Sequence, residues 1–179
     1  AVVLRCGFVA LVGAPNAGKS TLLNQLVGTK VSIVSPKVQT TRTRVRGIVM
    51  TEDAQIVFID TPGIFAPKRR LDRAMVKAAW NGADDADLVV LVIDAGTGIT
   101  DEDLAIINQL KDQNRKAILA LNKVDKVADK EKLLRLSQDL FAHDVFTDVF
   151  MISAKKGAGT QDLVNFLAAK MPDGPWMFP

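Results

Sequence analysis

Phe8-Val9-Ala10-Leu11-Val12, then Gly13-Ala14-Pro15-Asn16-Ala17-Gly18-Lys19-Ser20, then Thr21-Leu22-Leu23-Asn24-Gln25-Leu26-Val27 follow one another without interruption. The opening run is apolar and of strand length; the closing run puts Leu22, Leu23 and Leu26 on one stripe of a helix. Between them lies a glycine-bearing loop that ends in Lys-Ser. A strand that passes through such a loop into a helix is the setting of a phosphate cradle. The glycines let backbone N–H groups turn inward as an anion nest, and the helix N-terminus adds its positive end. Lys19 supplies a point charge for the β- and γ-phosphates, and Ser20 offers a hydroxyl to Mg²⁺. Asn16, Ala17, Gly18 and Thr21 complete the expected nucleotide contacts. An ordinary glycine turn with a surface lysine is the plainer alternative, and the complete spacing weighs against it.

Outward from this unit, apolar runs of strand length alternate with segments of helical period, as in a parallel sheet with crossover helices. Strands are expected at 8–12, 45–50, 55–59, 88–93, 117–121 and 149–152, and helices at 19–27, 71–79, 101–111, 130–142 and 160–170. Residues 51–53 should turn the second strand back on the third as an antiparallel hairpin; the longer connections suit right-handed crossovers. The fold class is therefore α/β: a three-layer P-loop domain with a six-stranded, mostly parallel sheet, one antiparallel strand and about five helices. Two stretches, 29–44 and 63–70, break the pattern beside the phosphate motifs and are read as switch loops.

Three further motifs each end an apolar run. Asp60-Thr61-Pro62-Gly63 places a carboxylate at the carboxyl edge of the sheet, where it can hold Mg²⁺. Gly63, lacking a Cβ, lets its N–H approach a γ-phosphate oxygen, a contact that GTP makes and GDP does not. Thr41, with Thr40 as the alternative register, is the candidate hydroxyl from the first switch for the same metal. Lys19, Thr41 and Gly63 are thus the candidates for acting on the γ-phosphate. In Asn122-Lys123-Val124-Asp125, the Asp125 carboxylate can accept from both N1–H and the exocyclic amine of guanine. Adenine would leave that acceptor unpaired, which can reject the wrong base by on the order of 10⁴-fold. Asn122 is expected to tie base and loops together, the Lys123 stem to cover a ring face, and Ser153-Ala154-Lys155 to bring a backbone N–H to the guanine O6.

Composition excludes other classes. With Cys6 the single cysteine and His143 the single histidine, neither a disulfide framework nor a His/Cys zinc site is available. No apolar run nears the roughly 18 residues of a membrane span. Residues 1–5 lack the basic start and long apolar core of a signal peptide. The net charge of +3 is uneven: residues 1–77 carry 12 basic against 4 acidic side chains, the remainder 11 against 16. Lys37, Arg42, Arg44 and Arg46, and Lys68, Arg69 and Arg70, form the basic groups, which read as solvated loop charge or as attraction to a polyanion. No aromatic is interleaved with them, so RNA contact by these groups alone would be salt-sensitive and sequence-blind. His143 reads as a helix C-terminal dipole partner, Trp80 and Trp176 as packing residues, and Met75 and Met151 as core filler.

Residues 13–20, Gln39-Thr40-Thr41-Arg42, Asp60-Thr61-Pro62-Gly63-Ile64 with Pro67-Lys68, Gly28-Thr29-Lys30-Val31-Ser32 and Gly174-Pro175-Trp176 together resemble the Era family of translation-factor-like GTPases, over nearly the whole chain. The resemblance implies a Ras-like G domain over 1–171 that binds GTP and GDP with Mg²⁺ and hydrolyses GTP. It further implies a cytoplasmic, monomeric switch that assists small ribosomal subunit assembly and rRNA maturation, with peripheral association at the inner face of the membrane. Family members bind small-subunit ribosomal RNA mainly through a C-terminal KH domain; residues 172–179 are expected to start the linker to that absent domain. Ile64 stands where Ras-like proteins carry a water-orienting glutamine, and a hydrocarbon cannot polarise water, so intrinsic turnover should lie at roughly 10⁻⁴–10⁻² s⁻¹. Asn16 is either a loop-stabilising side chain or, as in related GTPases, a ligand to K⁺ beside the phosphates. Two other readings stay open: a P-loop ATPase or kinase, against which Asp125 argues, and a basic RNA-binding module with a structural nucleotide.

Overall fold

The computed structural model describes residues 3–27, 31–32, 44–60 and 86–176, with backbone only at Val31, Ser32, Arg44, Val45 and Asp60. The chain order is β1 (Arg5–Gly13), α1 (Lys19–Val27), β2 (Val31–Ser32), β3 (Arg44–Met50), β4 (Ala54–Asp60), β5 (Leu88–Asp94), α2 (Asp101–Asp112), β6 (Ala117–Asn122), α3 (Lys130–Phe141), β7 (Phe146–Met151) and α4 (Thr160–Lys170). The strands form one sheet in the order β2-β3-β4-β1-β5-β6-β7. β3 runs antiparallel to both its neighbours, and every other pairing is parallel.

Alternation along the strands splits the core into two layers. Val9 and Leu11 face α1 and α4, packing with Leu22, Leu23, Leu26, Leu163, Val164 and Leu167. Ala10 and Val12 face the other way, with Ile106, Ile107 and Leu110 of α2 and Leu133 and Leu140 of α3. Because helices cover both faces, the central strands need no polar side, and this is why 88–93 reads as an uninterrupted apolar run. Helix starts are set by side chains: Thr100 and Asp103 make a reciprocal capping box for α2, and Asp129 accepts from the Glu131 N–H at 2.9 Å to open α3. The hairpin between β3 and β4 closes where expected, with the Thr51 N–H donating to the Ala54 carbonyl at 2.8 Å.

The six expected strands are present, and the two-residue β2 extends the sheet beyond them, inside the stretch read as a switch loop. The last strand begins at Phe146 rather than 149. It is an edge strand, whose outer rim tolerates the polar Thr147 and Asp148 that interrupt an apolar signal. Met151, read as core filler, is instead 42 % exposed at the end of this edge. The helix expected at 71–79, with Met75 and Trp80, lies outside the described residues.

Residues 172–174 lie along β1 where β5 has not yet begun. The Cys6 N–H donates to the Pro172 carbonyl at 3.1 Å and the Gly174 N–H to the Leu4 carbonyl at 2.9 Å. The Trp176 indole N–H reaches the Asp53 carbonyl at 3.4 Å, so this tryptophan packs on its own chain. His143 follows the end of α3, and its Nδ1 accepts from the Lys111 ammonium of α2 at 3.2 Å rather than capping its own helix through the ring.

Candidate functional site

β1, β4, β5 and β6 are mutually aligned, so Gly13, Asp60, Asp94 and Asn122 all arrive at one carboxyl edge of the sheet. The phosphate loop follows β1 and the Asn122–Asp125 motif closes β6 at that edge, and β7, parallel to β6, sends the Ser153 loop out on the same side. In the phosphate loop, the Ala17 N–H donates to the Ala14 carbonyl at 3.1 Å and the Leu22 N–H to the Gly18 carbonyl at 2.9 Å. Gly18 holds φ at +96°, and a Cβ there would collide with the Asn122 amide, so this position tolerates only glycine. The first turn of α1 carries no acidic residue to neutralise its positive end. Lys19 and Ser20 line a depression with Leu11, Pro15, Leu23, Arg46 and Ile59. The register of β3 against β4 slips between Val45 and Gly47, a bulge that turns the exposed Arg46 toward this phosphate side of the molecule.

The Asn122–Asp125 motif is heavily bonded, and its first residue is buried. Asn122 is 1 % exposed. Its Nδ2 donates to the Ala17 carbonyl at 3.0 Å; its Oδ1 accepts from the Lys123 N–H at 2.8 Å and the Ala154 N–H at 2.9 Å. One side chain thereby joins the phosphate loop to both loops that follow β6 and β7. Because the Ala154 amide is committed to Asn122, it reaches a base oxygen only by sharing or leaving that bond. Lys123 has φ +63°, a left-handed backbone rare outside glycine and held here by its bond to Asn122. Its ammonium donates to the Asn16 carbonyl at 3.0 Å and to Asp94 Oδ2 at 2.9 Å.

Asp94 gives its second oxygen to its own loop, accepting from the Gly96 and Thr97 N–H groups at 2.8 and 3.2 Å. Burial works against its charge, yet Lys123 and the Thr97 and Gly96 amides outweigh that cost and hold the carboxyl below its ordinary 3.8. Asp125 is also shifted down, chiefly by a hydrogen bond from the Ser153 hydroxyl against a smaller desolvation, with Lys156 and Lys126 adding attraction. Lys156 Nζ stands 3.8 Å from Asp125 Oδ2. Both carboxylates are therefore ionised at neutral pH. Asp103 behaves oppositely: burial raises it despite the Thr100 bonds, and its Oδ1 has no partner among the described residues.

Of the expected site residues, Asn16, Ala17, Gly18, Lys19, Asn122, Lys123, Asp125, Ser153 and Ala154 converge on this edge, with Ser20 and Thr21 in the first turn of α1. Lys155 is exposed, and the neighbouring Lys156 pairs with Asp125. Asp60 ends β4 at the same edge. Thr40, Thr41, Gly63 and Ile64 lie outside the described residues, as do Lys37, Arg42, Lys68, Arg69 and Arg70. Asp94 and Lys156 were not anticipated. Asp94 did carry a signal: like Asp60 and Asn122, it is the polar residue that ends an apolar strand. Among the described residues no group of three His, Cys, Asp or Glu side chains could hold a metal, and no helix is long and apolar enough to cross a membrane.

Comparison with known proteins agrees with this geometry. Residues 8–123 match the family described as 50S ribosome-binding GTPase. The GTPase Era of Dinoroseobacter shibae is 58 % identical over 178 residues, covering 98 % of this chain, which spans 58 % of that protein's length. A variant of Aquifex aeolicus Era solved with GDP·AlF4⁻ superposes with a TM-score of 0.78 at 42 % identity, over 98 % of this chain and 60 % of its own. Era solved with MgGDPNP and nucleotides 1506–1542 of 16S ribosomal RNA gives 0.79 at 42 % identity, with the same coverage of 98 % and 60 %. The chain thus spans less than two thirds of the length of these three relatives.

Proposed function

Since this chain belongs to the 50S ribosome-binding GTPase family, we propose that it is a guanine-nucleotide switch, which binds GTP and GDP at the carboxyl edge of its sheet and hydrolyses GTP. The observation that carries this reading is the Asn122 side chain, bonded at once to the phosphate loop and to the loop that holds Asp125 in place. A site whose phosphate and base halves share one buried residue suits a ligand with a phosphate chain at one end and a purine at the other.

In this reading residues 1–171 form the nucleotide domain. Amides of residues 16–21 and the Lys19 ammonium take the β- and γ-phosphates. Asp125, already ionised and steadied by Ser153, accepts from the guanine N1–H and amine, and the Lys123 stem lies on a ring face. The Ser20 hydroxyl, the Asp60 carboxylate and the Thr41 hydroxyl would together offer an all-oxygen donor set, which suits a hard divalent cation. Mg²⁺ held by those residues would supply positive charge to offset that of the phosphate chain. Hydrolysis depends on Lys19, Thr41 and the Gly63 N–H holding the γ-phosphate in line with an attacking water. Relatives solved with GDP·AlF4⁻ and with MgGDPNP support the same ligands here.

Asn16 is the candidate ligand for an activating K⁺; its carbonyl is held by Lys123, leaving its amide side chain for that task. Faster GTP turnover in KCl than in NaCl at matched ionic strength is the expected outcome, and equal rates overturn it. The Era complex with 16S ribosomal RNA supports small-subunit RNA as the partner of the longer relatives. For this chain alone we expect weak rRNA affinity that moderate salt abolishes. Calorimetric titration with GDP and ADP, with and without Mg²⁺, tests the central reading. GDP should bind at least about 10³-fold more tightly than ADP; equal affinities would refute it.

A further inference from the structure

Lys123 has to lay a long, flexible stem along a base, and a free lysine loses rotamer freedom when it does so. Here that freedom is removed in advance at the far end of the side chain. The ammonium sits between two acceptors on two other loops, the Asn16 carbonyl at 3.0 Å and Asp94 Oδ2 at 2.9 Å. The carbonyl contributes a dipole; Asp94 contributes a full charge. Register makes the meeting possible, because Asp94 pairs with Asn122 across β5 and β6 and the following residue, Lys123, turns back over the strand ends. Neither partner is loose. The ion pair is largely shielded, with side-chain exposures of 30 % for Lys123 and 19 % for Asp94. The other carboxylate oxygen is fixed by the Gly96 and Thr97 amides.

We propose that Asp94 is a positioning residue for guanine-nucleotide binding: it aims the Lys123 side chain and, through it, locks the phosphate loop to the base loop. The role assigned to Asp94 is exerted through Lys123. The inference rests on the guanine-site reading above and adds a residue outside its phosphate, switch and base motifs. Its physical basis is preorganisation, in which ordering done during folding does not have to be repeated at binding. Purine selectivity itself remains with Asp125.

Substitution at Asp94 separates this role from a purely structural one. Asp94→Asn keeps an oxygen for the Gly96 and Thr97 amides but removes the charge that holds Lys123. GDP titration of this variant should show affinity lowered about tenfold, the scale of one charge-assisted hydrogen bond, with a thermal midpoint close to that of the unsubstituted chain. Asp94→Ala should weaken GDP at least as much and also lower the midpoint, because the loop bonds go too. In a Lys123→Met background, Asp94→Asn should change GDP affinity by less than about twofold, since the group it positions is gone. If Asp94→Asn binds GDP as tightly as the unsubstituted chain, or if its loss persists undiminished in the Lys123→Met background, the inference is wrong while the guanine site stands. If the unsubstituted chain does not bind GDP, the guanine-site reading fails first and takes this inference with it.

Discussion

The two halves of the proposed nucleotide site are built by different means. On the base side, side chains do the holding: Asn122, Lys123, Asp94, Asp125 and Ser153 make a chain of bonds among loops that are far apart in sequence. On the phosphate side, the backbone does it, through a glycine with positive φ and the unneutralised first turn of α1, while Lys19 and Ser20 line an open depression. Telling guanine from adenine demands that an unpaired acceptor stay where it is, so the base half must be stiff before ligand arrives. Gripping phosphate demands only converging N–H groups and positive charge, which a loop and a helix end supply without cross-bracing.

That contrast can be broken from either side. The largest effect is expected from Lys19→Ala, which removes the point charge of the phosphate loop itself. Nucleotide affinity should fall beyond detection, at least about 10³-fold by titration, with little change in melting temperature because Lys19 braces no loop among the described residues. Asp125→Asn should come next, weakening GDP by about 10²-fold or more and favouring xanthosine nucleotides, whose edge offers an acceptor where guanine offers a donor. Unchanged GDP affinity in that variant would refute its assignment as base reader. Asn122→Ala should lower stability as well as binding, by about 2–3 kcal/mol in chemical denaturation, because the Ala17 carbonyl and the Lys123 and Ala154 amides lose their partner inside the fold. If Asn122→Ala costs no more stability than Lys19→Ala, the two halves are not built differently.

The smallest effect concerns pH. Asp94 is shifted down, so the stability it adds is complete above its ordinary 3.8 and is lost as pH falls through its lower folded value. Asp103 is shifted up, so its contribution runs the other way, present below 3.8 and lost as pH rises through its folded value. Melting curves of Asp94→Ala and the unsubstituted chain should therefore keep a constant separation from pH 8 to 5 and draw together below 3.8. A separation that grows toward acid would contradict the ion pair.

Much of this fold was legible in one dimension. The strand–loop–helix unit at 8–27, the alternation that follows it and the motifs at strand ends are local patterns, and α1 and α4 have the expected bounds, Lys19–Val27 and Thr160–Lys170. Legibility failed where the environment was one-sided. β7 lies at an edge, so Thr147 and Asp148 hid its start and Met151 was mistaken for core. Residue type alone also could not say that Lys156 would meet Asp125; the turn after Ser153 brings it there.

By itself the sequence determined that the chain folds as a parallel α/β sheet and that its chemistry gathers on loops after strands, because apolar period and loop composition act over a few residues at a time. Only the tertiary structure decided that Lys123 would meet Asn16, 107 residues away, and Asp94, 29 residues away. Such meetings depend on how β1, β5 and β6 are set against one another, with Asp94 opposite Asn122. A slip of one residue in that register would turn each side chain to the other face of the sheet.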